Sequence, residues 1–252
     1  MAAKAERFSP LSLGAAERTE SAYRHPIALV GTPLPPPPLA ASVNRGKIGG
    51  MALLDWIGAD HELRLEGEGV RLRPHRASDY GEWASLRANS RAFLQPWEPT
   101  WPLDDLTRAA FRRRLTAYGQ DIERALAYPF LVFRQTDGAM IGGVTLSNVR
   151  RGVAQMGSLG YWIGEPFTRR GHTAAAVGAV TRFGFERLGL HRLEAACIPA
   201  NEASRGVLRK CGFRQEGLAR RYLRINGAWR DHLLFGLISP AAADPGRVER
   251  PL

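Results

Sequence analysis

Two dipeptides constrain this chain more than any other feature. Asp137-Gly138 and Asn226-Gly227 each separate two strand-like runs. Such pairs tolerate the left-handed backbone of a tight hairpin turn, so each pair of runs is expected to form antiparallel strands. The first pair is Pro129 to Arg134 and Met140 to Leu146. The second lies near Gly217–Ile225 and Trp229–Leu237. Val70 to Pro74 and Gly157 to Gly164 read as further strands, and His191 to Ile198 alternates as another. Between them run helical patterns. Ser78 or Asp79 can cap a helix carrying Trp83 and Leu86. Asp104 and Asp105 can start a longer one, on which Phe111, Leu115, Tyr118, Ile122 and Leu126 form one stripe. Arg112, Arg113 and Arg114 fan around that helix, read as a solvated flank. Gly171 to Leu188 and Glu202 to Cys211 complete the set, the latter closed by Gly212. The order β-α-α-β-β-β-α-β-α-β-β implies an α/β (α+β) layer fold with helices on a mixed sheet.

The chain has 252 residues, enough for one domain of about 170 residues and its flanks. Residues 1–50 hold seven of the seventeen prolines and no periodicity, so they are expected to be a disordered extension. They lack the layout of a secretory signal. A transit segment and a true start at Met51 are both open readings. Residues 51–69 read as a leader, with Leu63 and Leu65 as candidate strand contacts. The ordered domain is expected over 70–238, with a frayed tail at 239–252. No apolar run is long enough to span a membrane. Two cysteines argue against a disulfide framework or a zinc cluster and for a reducing, cytoplasmic setting. The net charge is +11, but only three of the basic residues are lysine and the other 32 are arginine. That bias fits a GC-rich coding sequence as well as a polyanionic partner.

Two motifs carry chemistry. Tyr161-Trp162-Ile163-Gly164 leads through Thr168-Arg169-Arg170-Gly171 to His172-Thr173-Ala174, a strand, a turn and a helix start. A helix opening on glycine presents backbone N–H groups and a positive dipole end, which suits phosphate. An ordinary strand–helix turn reads the same way. The second motif is Asn201-x-x-Ser204-x-x-Val207-x-x-Lys210-x-Gly212-Phe213. Helix capping explains Asn201, Lys210 and Gly212.

Together, at this separation, the two motifs resemble those of the GNAT N-acetyltransferase superfamily. Leu94-Gln95-Pro96-Trp97-Glu98-Pro99, Leu190-His191-Arg192-Leu193-Glu194-Ala195 and Tyr222 to His232 are similar to its RimJ/RimL-type branch of ribosomal-protein-alanine N-acetyltransferases. The resemblance spans roughly 64–238. It implies a mostly antiparallel twisted sheet, acetyl-CoA as donor, no metal, and a primary amine as acceptor. That amine is most typically the α-amino group of a protein, here a ribosomal one. It implies that strand backbone at Tyr161, Trp162 and Ile163 pairs with the pantetheine arm and offers a donor to the thioester carbonyl. Arg169, Arg170, Gly171, His172, Thr173 and Ala174 would cradle the pyrophosphate. Asn201 would bond the cofactor, and Ser204 would protonate the thiol. Thr168 and Thr173 depart from the usual loop residues, which weakens side-chain contacts but spares the backbone cradle.

Glu98 is the candidate base, in a loop where Trp97 and Trp101 could desolvate its carboxylate. Glu194 is its rival. His172, His232, Cys211 and Asn148 are read as loop, structural, packing and turn residues. Two other functions remain open. One is a small-amine acetyltransferase, and the other is a non-catalytic, basic ribosome- or RNA-associated protein. Nothing in the sequence sets the oligomeric state.

Overall fold

A computed structural model of the chain describes residues 63–240. The extension expected at 1–50, most of the leader and the end of the tail lie outside them. Eight strands form one sheet: β1 (Leu65–Gly67), β2 (Val70–Pro74), β3 (Tyr128–Arg134), β4 (Met140–Arg150), β5 (Met156–Ile163), β6 (Arg192–Cys197), β7 (Arg214–Ile225) and β8 (Ala228–Ile238). Their spatial order is β1-β2-β3-β4-β5-β6-β8-β7. Every neighbouring pair is antiparallel except β5 and β6. Both expected hairpins form, β3–β4 and β7–β8. β1 adds a short strand in the stretch read as a leader, so the sheet begins before position 70.

Among the described residues five α-helices pack on this sheet: α1 (Tyr80–Asn89), α2 (Arg91–Leu94), α3 (Arg108–Glu123), α4 (His172–Arg182) and α5 (Glu202–Lys210). On one face Val177, Val180 and Phe183 pack against Leu72, Phe130, Val144, Leu146 and Leu193. On the other face Trp83, Leu86 and Phe111 meet Leu131, Phe133 and Met140. β3 is therefore buried on both faces. This explains its unbroken apolar run, where a half-buried strand would alternate.

Three acids expected to start helices do not cap them for one reason: arginines claim them. Asp79 precedes α1, but its carboxylate accepts from Arg73 and from the Arg76 backbone N–H. Asp104 and Asp105 do not start α3. They pair with Arg113 and Arg114; Arg112 and Arg113 stay exposed as a solvated flank, whereas Arg114 is mostly withdrawn from solvent against buried Asp105. Thr107 caps α3, its hydroxyl accepting from Ala110 N at 3.2 Å. The helix expected over Gly171 to Leu188 does form, α4 running on into one wider π-helical turn over Phe183–Arg187. Asn148 lies within β4 at a bulge, with φ of 51°, and not in a turn between elements. β7 starts at Arg214, earlier than expected, because the polar stretch before Gly217 pairs with Phe235 and Gly236 without any apolar alternation.

Candidate active site

The sheet opens between its two parallel strands. β5 pairs with β6 only from Met156 to Ser158, opposite Arg192 to Glu194. β5 then continues to Ile163, bonded to β4 on one side alone. Its other edge, over Leu159 to Ile163, presents unpaired backbone groups inside the molecule. An open edge is a template for an extended ligand carrying amides. A cavity of about 1020 Å³ fills the gap, and Tyr161, Trp162, Ile163, Asn201 and Ser204 line it. It is at the top of the range for small-ligand pockets, so it has room for two reactants.

The turn into α4 closes one end of this cavity. Arg169 and Gly171 both adopt left-handed backbone, with φ of 59° and 82°. Gly171 precedes α4 and has no side chain to cap it, which leaves first-turn N–H groups without a side-chain partner. A Cβ at Gly171 would meet nothing within 4 Å, so the space over this helix start is open. Glycine is needed there for its backbone angle. Arg169, Arg170, His172, Thr173 and Ala174 all line the cavity. Thr168 does too, but its hydroxyl donates to the Glu165 carbonyl. Burial, with Arg134 and Arg170 nearby, lowers the His172 pKa and favours its neutral form.

α5 faces the open edge from the far side. Asn201 Oδ1 accepts from Ser204 N at 3.0 Å and so caps the helix. The capping bond uses the amide oxygen and leaves the N–H₂ end for a ligand. Ser204 Oγ lies 2.8 Å from the Tyr161 hydroxyl. Asn201→Ala is expected to cost about 1 kcal/mol through the lost cap. Calorimetric unfolding of the variant beside the wild type checks that cost.

The other end of the cavity is built around Glu98. Arg87 donates from Nη1 to Glu98 Oε1 at 2.8 Å and from Nη2 to Oε2 at 2.7 Å. Trp101 Nε1 donates to Oε2 at 2.7 Å. The two charged side chains are only 10% and 14% exposed, so this is a nearly dry, bidentate pair. The Arg87 guanidinium lies 4.1 Å from the Trp101 ring centroid and 4.9 Å from that of Trp162. A carboxylate offers about four lone-pair sites. Three are occupied here, which leaves one on Oε1. The carboxylate is largely withdrawn from solvent as expected, but it is also paired with Arg87, a partner the sequence reading did not include. The hairpin tip braces the loop from outside, with Asn226 N donating to the Glu98 carbonyl at 2.9 Å.

Glu194 does not reach this cavity. It accepts from Arg192 Nε at 3.0 Å and lines a separate hollow of about 80 Å³. His232 does line the main cavity, buried, with Nδ1 3.0 Å from the Arg230 carbonyl oxygen. Burial lowers its pKa. Cys211 donates to the Ala174 carbonyl and packs against the core. Asn148 is not among the lining residues.

Sequence reading missed Arg87, Arg114 and His75, which all line the cavity. Arg87 carried a usable signal, because it follows Trp83 and Leu86 at helical spacing and so shares their buried face. His75 carried none. Its ring is buried against Phe111 and Tyr118, and desolvation with nearby Arg114 lowers its pKa to about 3. Among the described residues no group of three or more His, Cys, Asp or Glu is placed to hold a metal ion.

A family model described as "Acetyltransferase (GNAT) domain" matches residues 70–214. The chain is 34% identical over 176 residues to the "Probable N-acetyltransferase YjcK" of Bacillus subtilis (strain 168), covering 70% of this chain and 97% of that protein. It is 32% identical over 186 residues to the "[Ribosomal protein uS5]-alanine N-acetyltransferase" of Escherichia coli (strain K12), covering 74% and 95%. Among solved structures, "Mycobacterium smegmatis RimJ in complex with CoA-disulfide" superposes with a TM-score of 0.66 at 32% identity, covering 72% of this chain and 88% of that one.

Proposed function

The chain belongs to the GNAT acetyltransferase family and is an N-acetyltransferase, and from that premise we propose that it acetylates the N-terminal α-amino group of a ribosomal protein, with acetyl-CoA as donor. One observation carries the donor half of this reading. The unpaired β5 edge, the glycine-opened turn before α4 and the Asn201 cap all line one cavity. These residues fit the donor: an open strand edge suits a chain of amides, and an uncapped helix start flanked by Arg169 and Arg170 suits a pyrophosphate. The donor supplies an acetyl thioester.

The protein's own groups would do the rest. Backbone at Tyr161, Trp162 and Ile163 would bond the pantetheine arm and hold the thioester carbonyl as negative charge builds on its oxygen. Gly171, His172, Thr173 and Ala174, with Arg169 and Arg170, would bind the phosphates. Glu98 would take a proton from the acceptor ammonium through the remaining lone pair on Oε1. Ser204 would hand a proton to the leaving sulfur. The acceptor assignment is supported by the likeness to the uS5-alanine enzyme and by the RimJ superposition.

Thiol release from acetyl-CoA with a peptide panel tests this reading. Peptides with free N-terminal Ala or Ser are expected to release CoA, and the same peptides blocked at the N-terminus are not. Release with small amines alone would move the protein to the small-molecule reading. RNA retention without any thiol release would support the non-catalytic one.

A further inference from the structure

We infer that the Tyr161 hydroxyl, acting through Ser204, supplies the proton required by the departing thiolate. This rests on the reading above that Ser204 meets the donor sulfur.

Tyr161 stands on the unpaired stretch of β5, and its side chain crosses to the first turn of α5. There its hydroxyl lies 2.8 Å from Ser204 Oγ and 3.3 Å from the Ser204 carbonyl oxygen. Among the described residues these two bonds tie strand to helix across the opening, and both residues line the cavity. The Asn201 cap fixes the backbone N–H of Ser204 and so limits where its side chain can swing.

A serine alone is a poor acid for this task. Its hydroxyl is far less acidic than a thiol, whose pKa is about 8.5, so it cannot give up a proton and remain an alkoxide. It can pass a proton only if it receives one in the same motion. Tyrosine, with an ordinary pKa of about 10, is the nearest oxygen acid in contact with it. Burial raises the Tyr161 pKa further, so the phenol stays protonated through the neutral range.

The two bonds allow two settings of the same heavy atoms. At rest, Ser204 O–H donates to the phenol oxygen, and the phenol donates to the Ser204 carbonyl. For delivery, both hydroxyls turn: the phenol donates to Ser204 Oγ, and the serine proton is free to point at sulfur. The step then balances. The C–S bond breaks with its electron pair on sulfur. Sulfur takes the serine proton, and Ser204 takes the phenol proton. Tyr161, like Ser204 a weaker acid than the thiol, takes a proton from solvent in the same motion, which matches the one lost by the amine. Tyr161 is thus a positioning and recharging residue, not one that touches sulfur. Cys197, at the end of β6, also interacts with the Ser204 side chain and is the rival source.

The test is the single-turnover transfer rate, which isolates chemistry from product release. Tyr161→Phe keeps the ring and removes only the hydroxyl. It is expected to slow that step roughly tenfold without changing the acetyl-CoA KM. Ser204→Ala is expected to be at least as slow. The double variant should be no slower than Ser204→Ala, because both side chains serve one relay. Losses that multiply in the double variant overturn the inference. So does an unchanged single-turnover rate, a rise in KM alone, or the same loss from Cys197→Ala with Tyr161 intact. Should Ser204→Ala fail to fold, the rate and KM of Tyr161→Phe decide the matter alone. Any accepted amine serves as acceptor. Failure of peptides with success of a small amine removes the acceptor proposal and leaves this test intact.

Discussion

Glu98→Gln lowers turnover about 100-fold, the lower end of what general acid–base catalysis contributes, while the acetyl-CoA KM stays unchanged. The expectation comes from counting lone pairs. Arg87 and Trp101 take three of the sites on the carboxylate, and they hold it in one orientation against the cavity. The remaining site on Oε1 can accept one N–H from an ammonium. Glutamine keeps the length but replaces one oxygen with N–H₂. Arg87 donates to both oxygens, so in either orientation donor meets donor, and at the Oε1 position the N–H₂ also repels the ammonium it should relieve. The demand on this base is modest for the proposed acceptor, because a protein α-amino group has a pKa of about 7.7–8.0 and is part neutral near pH 7. The deficit of the variant is therefore expected to narrow as pH rises past about 8, where solvent has already removed the proton. Turnover measured from about pH 6 to about pH 9 tests this, with circular dichroism as the check on folding. Near-normal turnover across that range would remove Glu98 from the chemistry.

The contrast between what was legible and what was not follows the range of the interactions. Hairpins were legible because Asp137-Gly138 and Asn226-Gly227 act locally, through backbone angles that two residues set. Their partner strands differ from expectation only at the ends. The turn before α4 was legible for the same reason, since Gly171 has a left-handed φ and an open space above it. The gap between β5 and β6 was not legible from residues. It arises because pairing stops after Ser158, and no single residue there announces a missing partner. The fate of each acid was also hidden. Asp104, Asp105 and Asp79 look like helix caps locally, yet each is claimed by an arginine six to nine residues away. Thr107, a less obvious choice, caps the helix because its short side chain is left free to do so. Glu98 shows the same limit at the site itself. Its loop could be picked out from Trp97 and Trp101. The arginine that holds it comes from a different helix, eleven residues away.

Arg87→Met destabilises the fold by about 3 kcal/mol, and the thermal midpoint falls by roughly 6–12 °C. The pair it breaks is nearly excluded from water, at 10% and 14% exposure, so removing the cation leaves a carboxylate that solvent can barely reach. Trp101 Nε1 then remains as its one side-chain donor. Breaking a buried pair from one side costs about 3–5 kcal/mol, and the small residual exposure argues for the lower end. Methionine keeps much of the apolar stem, so lost packing between Trp101 and Trp162 adds little. What goes with the guanidinium is its attraction to the two ring faces, worth about 0.5–1 kcal/mol each. The double variant Arg87→Met/Glu98→Gln separates these contributions. With no charge left to strand, it is expected to be more stable than Arg87→Met alone, although it carries one more substitution. Calorimetric unfolding of the wild type, both single variants and the double variant closes the cycle. Additive losses across that cycle would mean that the pair is worth no more than an exposed one, and that Glu98 owes its orientation to Trp101 and the hairpin tip instead.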